Sequence, residues 1–273
     1  MSLRKSWLFA LAIVCYLSGN SVFAVSNSER GLSEDKNAKN VLFSVGVSHG
    51  LPGIDLDVNN AVKMATDSAF NFQANTMMDE KGTTANIASK MTEYASQVSA
   101  NGTFFFYFSG HGSPGSIYAQ DRLMDIKEIR QALEDARKSS TPLERLVLMF
   151  DSCFSGSLLD PIRSHLSFTM EDERDINTQM ANQVTQEFTG DPQDGQPYWK
   201  SLFVFASSRA DETSLAGQGG SVFTVALKKA FDEVMPSNGS LADWVSKTQT
   251  YTVGHHPVAR FAPATMQDEK MKP

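Results

Sequence analysis

One histidine and one cysteine stand out because each ends a run of apolar residues and is surrounded by small ones. The run 102–112 closes around His111, and the run 145–157 surrounds Cys153. Apolar runs bounded by Gly and Ser are typical of buried parallel strands, whose carboxyl ends form the ligand-binding crevice of α/β proteins. A thiol beside an imidazole is the minimal equipment for nucleophilic acyl transfer. The pattern therefore predicts this chemistry at one edge of a sheet.

Each group in this pair can be given a role. The thiolate form of a cysteine is the nucleophile. Ser155, Gly156 and Ser157 follow Cys153, and a helix beginning there would offer backbone N–H groups that favour the thiolate and an oxyanion. We predict that His111 protonates the leaving amine and that the N–H groups of Gly112 and Cys153 form the oxyanion hole.

The elements that must position this pair alternate between strands and helices. Alternating strands and helices predict a three-layer α/β/α sandwich with a mostly parallel central sheet. A small hairpin is expected within 113–124, and the chain after Pro257 is expected to be irregular. The segment 160–198 is acidic and Gln-rich, and it is interpreted as an exposed inserted linker. The predicted strands are 41–47, 73–78, 103–109, 145–150 and 201–207. Helices are predicted around the apolar stripe 58–69, at 84–99, from Asp125 onward, near 221–234 and at 240–250.

The first 24 residues have the layout of a secretory signal peptide, with a positive start, an apolar run from Trp7 to Leu17 and Val22-Phe23-Ala24 before a cleavage point. An uncleaved anchor is the alternative. Cleavage would remove Cys15 and leave one thiol and no internal disulfide, and an unpaired cysteine in an exported chain indicates reactivity. We expect a periplasmic or extracellular protein without stable membrane insertion.

The mature chain is predicted to hold one domain. Residues 25–40 are interpreted as a flexible N-terminus, 41–262 as the domain and 263–273 as a C-terminal tail. The net charge of −7 makes nucleic acid an unfavourable partner. No cofactor is expected, and no metal site, because His165, His255 and His256 lack the spacing of zinc ligands. His49 is interpreted as a polar loop residue.

The two motifs resemble those of the caspase-like cysteine peptidases, the group of caspases, metacaspases, paracaspases and legumains. Ser109-Gly110-His111-Gly112 is similar to the histidine motif, and the segment Asp151 to Gly156 contains the complete Asp-x-Cys-x-Ser-Gly motif of bacterial caspase-domain and metacaspase-like proteins. The sequence lacks the Gln-Ala that precedes the cysteine in animal caspases. Further similarity lies in 51–61, 206–214 and 222–227, so the resemblance spans roughly 41–250. It implies a cysteine endopeptidase that acts on proteins or peptides, which the signal peptide would export, and we expect a monomer or weak dimer.

Substrate choice follows from the resemblance only in outline. Metacaspases hold an Arg or Lys before the scissile bond (the P1 residue) in an acidic pocket, one acid of which corresponds to Asp151. A second acid is expected in the first loop, where this sequence has Asn60, and Asp57 one helical turn away is a substitute. Asp211 or Glu212 are further candidates. Arg209 instead would suit an acidic P1 residue, and Asn at P1 is a third possibility.

The resemblance also raises self-processing and calcium activation. Cleavage between the two portions of the domain would fall after Arg163, Arg174 or Lys200 if basic residues are preferred, although the linker need not be cut. The acidic cluster 171–175 is a candidate calcium site.

Two other functions remain open. The chain could be a catalytically inactive caspase-like module that binds peptides or partner proteins. It could also be a serine esterase that uses Ser155 or Ser157, although the Gly-x-Ser-x-Gly elbow is absent.

Overall fold

The structure is a computed structural model that describes residues 39–67, 71–113, 115–138, 140–153, 188, 198–208 and 214–271. Its centre is a six-stranded sheet. The sheet strands are β1 (Asn40–Val47), β2 (Phe72–Met78), β3 (Thr103–Gly110), β7 (Leu143–Ser152), β8 (Trp199–Ala206) and β11 (Val258–Ala262). Short strands outside the sheet are β4 (Gly112–Ser113), β5 (Ser116–Tyr118), β6 (Leu123–Asp125), β9 (Ala216–Gly217) and β10 (Gly220–Ser221).

Apart from the first helix, which follows Gly53, the described α-helices begin at residues whose side chains accept a backbone N–H. Asp125 and Glu128 form the capping box that the sequence predicts, and Ser221 accepts from the N–H of Thr224. The helices are α1 (Ile54–Thr66), α2 (Thr84–Ser96), α3 (Ile126–Arg137), α4 (Val222–Val234) and α5 (Leu241–Tyr251), with 3₁₀ turns at Asp79–Lys81 and Ala264–Asp268.

The strand order is β11-β8-β7-β3-β1-β2, and every neighbouring pair is parallel except β11 with β8. β1 and β3 are buried along their whole length, as expected for central strands covered on both faces. The carboxyl ends of β1, β3 and β7 therefore meet at one edge of the sheet.

Two apolar cores cover the two faces of the sheet. One core joins the sheet to α2 and α3 through residues such as Ile87 and Leu133. The other joins it to α1, α4 and α5 through residues such as Ala61, Phe223 and Trp244. The predicted three-layer α/β/α sandwich with a mostly parallel sheet is confirmed.

The prediction of irregular chain after Pro257 is wrong. Val258–Ala262 forms β11, antiparallel to β8, and Phe261 stacks on Phe203 with ring centroids 4.8 Å apart. The short sequence Val-Ala-Arg-Phe-Ala has no clear alternation, which hid the strand. The segment assigned to a C-terminal tail contributes Met266 and Met271 to the core.

Two further segments differ from expectation. The region predicted to hold a hairpin forms the three antiparallel strands β4, β5 and β6. Most of the predicted linker 160–198 lies outside the described residues, but Phe188 is buried against Trp199, so the prediction of full exposure is wrong at that residue. Among the described helices, none combines the length and hydropathy that a membrane span requires.

Candidate active site

The two sequence motifs meet at the carboxyl edge of the sheet. In the parallel pairing of β3 with β7, Gly110 lies opposite Ser152. His111 follows β3 and Cys153 follows β7 directly, and neighbouring strands of a sheet are about 4.8 Å apart. Both side chains are partly exposed. The fold therefore places His111 and Cys153 next to each other at this edge of the sheet.

Gly112 lies against the cysteine backbone. A Cβ atom at Gly112 would approach the Cys153 carbonyl oxygen to 2.5 Å and the Ser152 Oγ to 2.8 Å. Any other residue at this position would therefore push apart the segments that follow β3 and β7. The N–H of Tyr118 donates to the carbonyl of His111 over 2.9 Å. Gly112 consequently occupies a non-hydrogen-bonded position opposite Ile117, with its N–H directed away from β5.

A small pocket of about 30 Å³ opens beside the cysteine. Its polar wall comes from β3, β7 and the segment that leads through β9 to β10. The Cys153 Sγ lies 3.9 Å from the carbonyl oxygen of Ser214. The pocket is lined by Leu51, Ile54, Ser109, Gly110, Asp151, Ser152, Cys153, Ser214, Ala216 and Ser221.

Asp151 is the charged residue of this pocket wall and is held by three hydroxyl groups. Ser214 Oγ donates to its Oδ1 over 3.1 Å, while Thr224 Oγ1, at 2.6 Å, and Ser221 Oγ donate to its Oδ2. The hydroxyl of the buried Tyr107 lies 2.5 Å from Thr224 Oγ1. Because Thr224 uses its proton toward the carboxylate, Tyr107 is the donor to Thr224.

Asp57 lies directly behind the pocket wall. Its carboxylate is fully buried and accepts from the Oγ of Ser109 over 2.9 Å and from the N–H of Ser221 over 2.8 Å. Both donors are pocket residues. Gly220 is close enough that a Cβ there would lie 2.7 Å from Asp57 Oδ1, so the β9–β10 hairpin can pack on this carboxylate only with glycine at that position.

The two carboxylates have unusual proton affinities. Burial, followed by the charge of Asp151, raises the pKa of Asp57 to about 8, and the hydrogen bonds from Ser221 and Ser109 only partly offset this rise. Burial also raises the pKa of Asp151, against the lowering effect of its hydroxyl donors and of His255. Burial raises the pKa of Tyr107 well above its ordinary value. These directions follow from the cost of burying charge.

Asn60 lies apart from these acids. It borders a separate surface depression on α1 with Asn59, Lys63 and Gly219. The structure thus brings Asp57, and not Asn60, to Asp151. The helical period explains this, because Asp57 falls on the buried face of α1 together with Val58 and Ala61.

Several predicted residues lie outside the described part of the chain: Ser155, Gly156, Ser157, Arg163, Arg174, Arg209, Asp211, Glu212 and the acidic cluster 171–175. Lys200 is described. It is exposed on β8, where its Nζ pairs with Glu144 at 2.7 Å. Its backbone belongs to the sheet, which is a poor place for a cleavage site.

Sequence reasoning did not single out the hydroxyl donors. One signal could have identified them, which is the Ser-x-x-Thr pattern of a helix start at Ser221 and Thr224. The loop before this helix start, which contains Ser214, must return to the ends of the strands. Below the cysteine, Ser207 Oγ and Ser208 Oγ donate to the carbonyl of Ser152, and Nδ1 of the buried His255 lies 2.6 Å from the carbonyl oxygen of Ser207.

The sequence predicts only a polar loop residue at His49. Its ring lies beside that of His111, with centroids 6.4 Å apart. Within the described ranges, no group of three or more His, Cys, Asp or Glu side chains is arranged to hold a metal ion.

Known proteins share this architecture. The caspase domain of peptidase family C14 matches residues 39–253. A protein from Geobacter sulfurreducens superposes with a TM-score of 0.60 at 15% identity, covering 86% of this chain and 98% of its own. Caspase-1 from Spodoptera frugiperda superposes with a TM-score of 0.56 at 11% identity, covering 86% and 92%. No curated protein sequence matches. The chain belongs to the caspase-domain family, and its fold is that of a caspase-like cysteine peptidase module.

Proposed function

We propose that this protein is a cysteine endopeptidase with Cys153 as nucleophile and His111 as proton carrier. The Cys153 thiolate attacks the peptide carbonyl carbon and a C–S bond forms. The C–N bond then breaks as His111 gives its proton to the leaving amine. His111 next removes a proton from water, which attacks the thioester and releases the carboxylic acid product and the thiolate.

The alignment of Gly110 with Ser152 in neighbouring parallel strands carries this proposal. It makes His111 and Cys153 neighbours at the same sheet edge, beside a pocket. The N–H of Gly112, directed away from β5, suits an oxyanion donor together with the N–H of Cys153. Removing one such donor typically costs roughly 3 kcal/mol of transition-state stabilisation.

The pocket beside Cys153 supports a preference for Arg or Lys at P1. Asp151 in its wall and Asp57 behind it are acidic and buried, and a buried carboxylate is stabilised by a cationic partner. We extend the proposal to export through residues 1–24, and keep calcium activation and self-cleavage after Arg163, Arg174 or Lys200 as open parts of it.

A panel of fluorogenic peptides that differ only at P1 tests this function. Wild-type protein and Cys153→Ala are assayed on peptides with Arg, Lys, Asn or Asp at P1, with and without calcium. We expect hydrolysis of the Arg and Lys peptides by the wild type and none by Cys153→Ala. Mass spectrometry of the incubated wild type would detect cleavage after any of the three basic residues.

The same panel separates the alternatives. If the wild type hydrolyses no peptide and a thiol-directed substrate mimic leaves Cys153 unmodified, the endopeptidase proposal fails and an inactive peptide-binding module is left. Full activity in Cys153→Ala would instead require a serine nucleophile.

A further inference from the structure

We propose that His49 is a positioning residue that holds the imidazole of His111 in its catalytic orientation. The inference rests on the proposed peptidase function. It concerns a side chain to which neither the motifs nor the pocket assigns a role, and it is carried by the backbone of His49, the partners of its ring and the surroundings of His111.

The backbone of His49 adopts a costly conformation. Its φ is 41°, in the left-handed region that side chains with a Cβ seldom adopt. The other described non-glycine residues with positive φ are Asn71, Asp79 and Asn238, and Asn, Asp and His are the side chains most often found in this region. The turn is fixed on both sides, because Ser48 N–H donates to Asp79 Oδ1 over 2.9 Å and Leu51 N–H to the Ser48 carbonyl over 2.8 Å. Strain of this kind persists where the surrounding structure enforces it.

His49 is exposed, and two consecutive residues contact its ring. The rings of His49 and Tyr118 form an edge-to-face pair at an interplanar angle of 84°, with centroids 4.9 Å apart. Its Nε2 lies 3.1 Å from the carbonyl oxygen of Ala119. Because a carbonyl oxygen only accepts, the proton of the neutral ring is on Nε2.

Both histidines are attached to the same short strand. The N–H of Tyr118 donates to the carbonyl of His111, while the Tyr118 ring packs on His49. The His49 and His111 rings are tilted by 34° at a centroid separation of 6.4 Å. Strand β5 therefore fixes the backbone of one histidine and the ring of the other.

Within the described part of the chain, His111 has no carboxylate or carboxamide that orients its ring. A catalytic imidazole is commonly held by a carboxylate or carboxamide, yet among the described residues no hydrogen bond reaches the His111 ring nitrogens. The His49 ring is the aromatic side chain that flanks it. Packing against the His49 ring, which the Ala119 carbonyl and the Tyr118 ring hold at the surface, can restrict χ1 and χ2 of His111 without a hydrogen bond.

The test compares His49→Ala, which removes the ring, with His49→Phe, which keeps a ring and loses its nitrogens. We expect His49→Ala to lower kcat at least about 10-fold with little change in KM, because misplacement by about 1 Å can cost roughly 100-fold. His49→Phe should recover most of the loss. Unchanged kcat in His49→Ala, or equal losses in the two variants, would overturn the proposal.

A second pair of variants guards against misfolding of the loop. Tyr118→Leu removes the edge contact with His49, and Tyr118→Phe keeps the ring. Tyr118→Leu should lower kcat, and combining it with His49→Ala should add little, because both changes release the same ring. Fully additive losses would contradict a shared role.

A readout without substrate separates this proposal from the proposed function. The rate at which iodoacetamide alkylates Cys153, located by peptide mapping, should fall in His111→Ala and His49→Ala and be restored in His49→Phe. This pattern in a protein that hydrolyses no peptide would retain the positioning role and reject the peptidase. A wild-type alkylation rate in His49→Ala would reject the positioning role.

Discussion

Asp57 and Asp151 share one residue as a hydrogen-bond donor: Ser221 gives its backbone N–H to Asp57 and its hydroxyl to Asp151. Both carboxylates are buried, and within the described residues neither forms an ion pair with Lys or Arg. Two buried acids so close together are stable only if one retains a proton or a cation enters between them. The pair is therefore sensitive to pH and to the charge of whatever occupies the pocket.

The first prediction concerns stability against pH. The pKa of Asp57 rises from 3.8 to about 8 on folding, chiefly through burial. Between about pH 4 and pH 8 the folded protein therefore binds a proton that the unfolded chain has released. Through this range Asp57 alone should lower the free energy of unfolding as pH rises, by at most about 1.4 kcal/mol per pH unit. Asp151, with its pKa also raised, contributes in the same direction.

Urea denaturation at a series of pH values checks this dependence. Asp57→Asn should flatten the decline, while Asp55→Asn, which removes an exposed acid from the same helix, should leave most of it. An equal slope in wild type and Asp57→Asn would show that Asp57 does not retain a proton.

The second prediction concerns P1 selection. Asp151→Asn should reduce the ratio of kcat/KM for an Arg peptide to that for its uncharged isostere citrulline, by roughly 100-fold, because breaking one buried charge pair costs about 2–5 kcal/mol. The ratio is the informative quantity, since loss of the Ser214, Ser221 and Thr224 contacts would affect both peptides. Asn60→Asp should leave the ratio within about 2-fold of wild type, because Asn60 borders another depression. A large gain in Asn60→Asp would mean that the pocket extends along α1.

The sequence was sufficient for the parallel strands, the layers around them and the placement of His111 and Cys153 at the ends of neighbouring strands. Long buried strands and a capping box at Asp125 are local signals, and strand ends at one edge follow from parallel topology. The network around Asp151 was not predictable in the same way. Ser221 and Thr224 reach it because α4 packs over β7, and such long-range contacts leave no periodic trace.

His49 and Asp57 show the same limit at closer range. Both lie in or just after the loop that follows β1, and the sequence suggested only that an acid belongs there. Which acid faces inward depends on where α1 begins, which Gly53 sets through its positive φ of 76° and its close approach to Gly217. The strand β11 was missed because its pairing partner, and not its own composition, defines it.

The third prediction tests the contact between the two motifs. Gly112→Ala should lower kcat at least about 10-fold, because its Cβ would meet the Cys153 carbonyl and force the ends of β3 and β7 apart. The matched control is Gly219→Ala, where a Cβ meets nothing within 4 Å. Kinetics on the preferred peptide, with thermal melts of both variants, make the comparison. Equal kcat in both variants would place the reacting groups elsewhere.

The fourth prediction concerns the end of the chain. Met271 is fully buried in the core that faces α1, α4 and α5, and its N–H donates to the carbonyl of Gly239 over 2.9 Å. Nearby, Glu269 pairs with the buried Arg145 at 2.9 Å. Met271→Ala should lower the free energy of unfolding by roughly 2–5 kcal/mol, as for other large-to-small core changes. Gln267→Ala removes an exposed side chain from the same segment and should change it by less than about 0.5 kcal/mol. Urea denaturation at one pH gives both values. Equal small effects would mean that residues 263–273 pack on the domain without stabilising it. The expected difference would make this segment part of the folding unit that holds β7 in place, and with it Asp151 and Cys153.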